Sequence, residues 1–235
     1  KPISYFRDAF NRFKKNKASI AGAIVIGILI LYAIFAPIFS PYTVSYSDEQ
    51  YQNDLTTIPV WRREKALQYK KLDDRKRSVL AFVLLQRALR DEYGITEIPE
   101  FVYNEFGKPS LPNLPIHFSL SHCKDAVACA VSDHNIGIDV ESIVPYNPDV
   151  ARRVCTADEL KMLEQSSNKD VEFIKLWTVK EAISKYEGMG LSLQFAEIDV
   201  SKYAVHTNMF KSKKLVLSIA SDRDSKIFSQ NLLTI

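Results

Sequence analysis

Residues 136–141 read Ile-Gly-Ile-Asp-Val-Glu, and farther along residues 177–185 read Trp-Thr-Val-Lys-Glu-Ala-Ile-Ser-Lys. The first stretch has the composition of a strand, on which alternate side chains share a face, so Asp139 and Glu141 project together while Ile138 and Val140 turn to the core. Neighbouring carboxylates repel, and one tends to hold a proton unless a cation intervenes. Hard oxygen ligands combined with phosphate oxygens suit magnesium. A solvated strand edge would carry the same pair. The second stretch reads as a helix with Trp177, Glu181 and Lys185 four apart on one face. It offers one ligand a carboxylate and an ammonium, or else it is an ordinary surface ion pair with Trp177 as core filling.

Outward from these stretches, helical periodicity marks residues 61–69 and 75–93, the latter stopped by Gly94, and a longer helix spans 171–187. Thr156 and Asp158 open a short helix between them. Short β-type runs cover 116–120, 126–131, 136–140, 197–200 and 215–220, and residues 104–114 (NEFGKPSLPNL) form a turn-rich connection. A long helix followed by turns and strands thus occurs twice. The expected fold class is α+β in two similar lobes, residues 54–135 and 136–235, preceded by one transmembrane-type helix.

Composition is that of a globular chain: 235 residues, 46% apolar and 25% charged. The net charge of +3 is concentrated at the start, since six of the 31 basic residues but only one of the 28 acidic ones precede residue 18. The remainder is slightly acidic, which gives no footprint for nucleic acid. Cys123, Cys129 and Cys155 are odd in number and form no CxxC pair, so a reducing compartment is expected.

Between Lys17 and Asp48 there is no charged residue, and residues 18–40 are apolar nearly throughout. A helix of that length crosses a hydrocarbon core of about 30 Å, and Pro37 near its exit favours an anchor over a cleaved signal. The chain opens on Lys1 rather than Met, so its true start is expected upstream. Residues 1–53, through FRDAFNRFKKNKAS, the apolar span and FAPIFSPY, resemble the amino terminus of oligopeptide ABC-transporter permeases. Only the first permease helix is covered, so no transport activity is implied.

IGIDVE and WTVKEAISK are similar to the two signature motifs of the 4′-phosphopantetheinyl transferase superfamily, in its surfactin-synthetase-activating type. The similarity extends in order to RREKALQYK, DDRKRSV, NEFGKPSLPN and FSLSHC, over roughly residues 55–200. The resemblance implies transfer of phosphopantetheine from coenzyme A to a serine of an apo acyl or peptidyl carrier protein, with release of 3′,5′-ADP. It implies Asp139, Glu141 and Glu181 as Mg2+ ligands, Glu181 also as a candidate base, and Lys185 at the departing phosphate. Arg62, Lys65, Arg77, Ser78, Lys108, Ser121 and His122 would surround the coenzyme A phosphates. Lys180, which belongs to the motif, would join these coenzyme A contacts or equally make a structural ion pair. Both lobes lie in one chain, so a monomer is expected.

Two features depart from that family. The strand and helix that normally precede the RREK segment are replaced by permease-like sequence, although Tyr42, Val44 and Tyr46 could pair as a strand. Six Lys or Arg residues before the span and none just after it predict a cytoplasmic amino terminus and an external remainder. Coenzyme A and carrier proteins are cytoplasmic. The expectation is therefore a cytoplasmic catalytic domain whose first fifty residues are a fusion or assembly product. A membrane-tethered transferase is the alternative topology, and an inactive permease fusion with an incomplete transferase domain is the alternative function.

Overall fold

The computed structural model describes Phe13, residues 46–190 and 194–222, and the backbone of 227–234. The chain divides into two units, Lys1–Thr43 and Val44–Ile235. The apolar span 18–40 and the basic run before it lie outside the described residues. Among the described residues, no helix is long and apolar enough to cross a membrane.

The second unit begins with helices α1 (Asp48–Thr57), α2 (Val60–Leu67) and α3 (Leu72–Tyr93). Ser47 and Gln50 form a capping box at the start of α1, each side chain taking the other residue's backbone N–H. Helix α3 ends where Gly94 adopts a left-handed φ of 68°, as its position after the last apolar turn predicts. Strands β1 (Val102–Tyr103) and β2 (Pro109–Ser110) form a small hairpin, followed by β3 (His117–His122), β4 (Ala126–Ser132) and β5 (Ile136–Ser142). Helices α4 (Pro148–Val154), α5 (Ala157–Gln165) and α6 (Lys169–Glu187) come next, then β6 (Ala204–Phe210), β7 (Leu215–Ser221) and β8 (Ile227–Thr234).

Two three-stranded antiparallel sheets result, ordered β3-β4-β8 and β5-β7-β6. Helix α3 lies on the first sheet and α6 on the second, so a long helix covers a sheet in each half. The last strand joins the first sheet, not the second, because β4 would otherwise present an unpaired edge. Alternation along β4 serves two cores. Val127, Cys129 and Val131 pack beneath α3 with Val79, Leu80 and Leu84, while Ala126, Ala128 and Ala130 meet Ile136, Ile138, Val140, Leu215, Leu217 and Ile219 of the second sheet. The alanines have little side chain, so the two halves approach closely.

Residues 197–200, expected as a strand, instead lie across two 3-10 turns, Phe195–Glu197 and Val200–Lys202. Asp199 accepts hydrogen bonds from Ser201 N and Oγ, a local turn that competes with extension. Strand β6 escaped sequence reading because His206, Thr207 and Asn208 interrupt its apolar pattern with an exposed centre. The short helix α4 was equally unmarked, although Asn147 caps it and Pro148 opens it.

Candidate active site

Strand β5 delivers its carboxylates as its alternation predicts. Ile138 and Val140 are fully buried between the sheets, while Gly137, Asp139 and Glu141 face helix α6. Helix α6 crosses directly over Gly137, where a Cβ would overlap the Ala182 carbonyl and stand 2.5 Å from Tyr186 N. Only glycine permits this approach. It brings Glu181 and Lys185 against the strand.

Asp139, 2% exposed, accepts from Lys185 Nζ at 2.6 Å and from Ser121 Oγ at 2.7 Å, both at Oδ1. Its other oxygen, Oδ2, is buried with no protein partner. Burial pushes the Glu141 carboxyl up to about 7, with the Asp139 charge and, more weakly, Glu181 adding to the effect and Lys185 opposing it. Glu181 is raised as well, by burial first and by Asp139, again against Lys185. Three carboxylates therefore share one partly dry site with one ammonium among them.

Among the described residues, no group of three or more His, Cys, Asp or Glu side chains is arranged to hold a metal. Lys185 stands as the counter-charge at Asp139. The donor chemistry nevertheless fits a hard cation: a buried carboxylate oxygen lacks a partner beside two carboxyl groups that resist ionisation.

Other expected site residues gather nearby. His122 closes β3 and is lowered by desolvation and by the Arg77 and Lys185 charges, which places three nitrogen groups around one region. Arg77 is fixed by Asp74 and by the Lys124 carbonyl, 3.1 Å away. A pocket of about 390 Å³ opens beside them, lined by Arg62, Lys65, Ser78 and His122 together with Trp61, Phe82, Phe101, Tyr103 and Phe118. Arg62 donates to Ser78 O and Oγ at 2.6 and 3.0 Å and lies over the Phe82 ring; Lys65 lies over Tyr103. Sequence reading missed these aromatic walls. Trp61 beside RREK and Tyr103 before NEFGKP were the signal available, since both rings stand next to the cationic motifs.

Lys108 lines an adjoining pocket of about 220 Å³ that also contains Lys185. Its ammonium donates to Asn135 Oδ1 and to the Tyr186 carbonyl, both at 2.8 Å, and burial lowers it to about 8. Asn104 donates to the Gly188 carbonyl at 2.8 Å. The GKP turn thus secures the carboxy-terminal end of α6, a role that its motif did not suggest.

Lys180 does not join the site. It is fully buried and donates to Val154 O, Glu159 Oε2 and Phe195 O at 3.0, 2.6 and 3.0 Å, which uses all three N–H groups. Of the two readings of this residue, the structural ion pair holds and the coenzyme A contact does not. Replacing it with Met would leave Glu159 and two carbonyls without their donor. Lys180→Met is expected to lower the unfolding free energy by about 3 kcal/mol, measured by urea titration, because breaking one side of a buried pair strands the other.

Two family models match parts of the chain. Residues 135–227 match the family model of the 4′-phosphopantetheinyl transferase superfamily, and residues 4–57 match that of the N-terminal TM domain of oligopeptide transport permease C. The chain is 32% identical to the 4′-phosphopantetheinyl transferase Sfp of Bacillus subtilis (strain 168) over 158 residues, 66% of this chain and 70% of the relative. It is 36% identical to the 4′-phosphopantetheinyl transferase AcpT of Salmonella typhi over 123 residues, 50% of this chain and 60% of that one. Among solved structures, the holo-[acyl-carrier-protein] synthase (AcpS) of Thermotoga maritima is similar at 16% identity with a TM-score of 0.32, covering 37% of this chain and 61% of its own. The chain belongs to the 4′-phosphopantetheinyl transferase superfamily and is a transferase of that kind.

Proposed function

We propose that the protein moves 4′-phosphopantetheine from coenzyme A to a serine of an apo acyl or peptidyl carrier protein. The observation that carries this reading is the convergence of Asp139, Glu141, Glu181 and Lys185 beside a pocket that combines aromatic rings with Arg62, Lys65 and His122. A nucleotide with several phosphates matches such a pocket, since rings accept the base and cations accept the phosphates.

In the proposed reaction the serine oxygen forms a new bond to the phosphorus that carries pantetheine, and the bond to 3′,5′-ADP breaks. Glu181, raised by burial, would take the serine proton directly or through a water. Lys185 faces the departing phosphate, and His122 and Arg77 steady the remaining ones. Asp139, Glu141 and Glu181 would hold Mg2+, which when bound neutralises pyrophosphate charge. Because both lobes belong to one chain, the proposed active form is a monomer. Transfer takes place in the cytoplasm, where both substrates are found, and any membrane attachment would run through residues 18–40.

The test is intact mass spectrometry of an apo carrier protein incubated with the purified protein, coenzyme A and Mg2+. A gain of one phosphopantetheine group supports the reading. A folded protein that produces no gain would leave the inactive permease fusion in its place.

A further inference from the structure

We infer that Asn135 is a positioning residue for Lys185, acting through the backbone at the end of helix α6; the inference rests on the transferase reading above. Asn135 lies in the turn between β4 and β5, directly before the strand that carries Asp139 and Glu141. Its Nδ2 donates to the Tyr186 carbonyl at 2.7 Å. Tyr186 follows Lys185 in the chain and lies in the last turn of α6, where helix carbonyls run out of intrahelical donors. The turn that opens β5 thus supplies a donor that the end of α6 needs.

The amide is itself fixed. Its Oδ1 accepts from Ile136 N at 3.1 Å and from Lys108 Nζ at 2.8 Å, which turns Nδ2 toward α6. Lys108 donates to the same Tyr186 carbonyl at 2.8 Å, but an ammonium is drawn to phosphate when a phosphorylated ligand enters. The amide carries no charge and keeps its partner. Gly137 sets the distance of α6 from β5, and a hydrogen bond with its preferred angle sets the place along the strand. Earlier on the helix, Thr178 bonds to Ser218 of β7 at 2.8 Å, but it stands about 10 Å along the axis from Lys185. The Asn135 bond is therefore the one that fixes the last turn against the start of β5, and with it the place of Lys185. A second asparagine, Asn104, holds the Gly188 carbonyl just beyond.

The experiment measures kcat and KM for coenzyme A on the full chain with an apo carrier protein and Mg2+, alongside thermal melting. The variants are Asn135→Ala, Lys185→Ala, the two combined, and Asn168→Ala. Asn168 caps the opposite end of α6 by accepting from Val171 N at 3.3 Å, so its loss weakens the same helix far from Lys185. Asn135→Ala should lose on the order of 10-fold in kcat, given that a shift of about 1 Å at reacting groups can cost 10²-fold. KM for coenzyme A should change less than about 3-fold. In the Lys185→Ala background the same substitution should cost less than about 2-fold, since a residue that acts through Lys185 then has nothing to act on. Asn168→Ala should melt earlier and keep its kcat. Equal loss from Asn135→Ala in both backgrounds, or a similar loss of kcat in Asn168→Ala, would make Asn135 a structural residue and overturn the inference. A rise in KM with kcat preserved would overturn it too. If Asn135→Ala does not fold, Asn135→Asp is judged by the same criteria, because it keeps the shape and the acceptor oxygen but has no proton for Tyr186. Absence of transfer by the unmodified chain is a separate result that removes the transferase reading itself. Amide hydrogen exchange then decides the anchoring: faster exchange across residues 184–188 in Asn135→Ala supports it, and unchanged exchange refutes it.

Discussion

Glu181→Gln is expected to abolish transfer while leaving the fold intact. Glutamine keeps the size of the side chain but removes both the negative charge and the capacity to take a proton. Loss of one preorganised group at a charged transition state costs on the order of 10²–10³ in kcat, and Glu181 is assigned two such tasks. Stability should move the other way. The carboxyl is raised in the folded protein, so the folded state binds more protons than the unfolded one just above the ordinary carboxylate range, and stability falls as pH rises through that window. A neutral amide removes this penalty, and the melting temperature near pH 7 should be unchanged or higher. Turnover near that of the unmodified protein would sink the assignment of Glu181.

Gly137→Ala should have an effect of similar size by another route. The new methyl would overlap the Ala182 carbonyl and crowd Tyr186 N, and both are backbone atoms of α6 that cannot turn aside. The helix must retreat from β5. Overpacking of this kind costs about 1–3 kcal/mol and occasionally more, so an unfolding free energy lower by about 3 kcal/mol is expected in denaturant titration. Activity should suffer beyond that. Glu181 and Lys185 ride on the displaced helix, and a shift of about 1 Å at reacting groups can cost 10²-fold in rate. A variant with full kcat would show that the close approach serves packing alone.

The parts of the fold that could be read early are those in which a single local rule dominates. Gly94 follows the last apolar turn of α3, and Thr156, expected with Asp158 to open a short helix, is the N-cap of α5, where the structure adds a capping box with Glu159; both act within a few residues of chain. Asp139 and Glu141 fall on one face for the same reason, since strand periodicity needs no tertiary information. What remained hidden depended on distant partners. Strand β6 is polar at its centre and becomes a strand because β7 supplies its ladder, and β8 is assigned to the first sheet by its pairing with β4. Residues 46–57, which fall within the permease match, carry Tyr46 and Tyr51 into the core beneath α3, and no local signal separates that use from a membrane-exit segment.

The two stretches at 136–141 and 177–185 thus determined by themselves which carboxylates share a face and that Lys185 stands over Glu181, because backbone period alone dictates both. Only the tertiary structure decided what each cation meets. Lys180, one residue before Glu181, is turned roughly 100° around the helix, and packing of α4, α5 and the Phe195 turn makes that side a dry core with three waiting acceptors. Lys185 is left on the side where β3 brings Ser121 to Asp139. A helix specifies the angle between its side chains, but the surfaces packed around it decide which of those directions becomes a site.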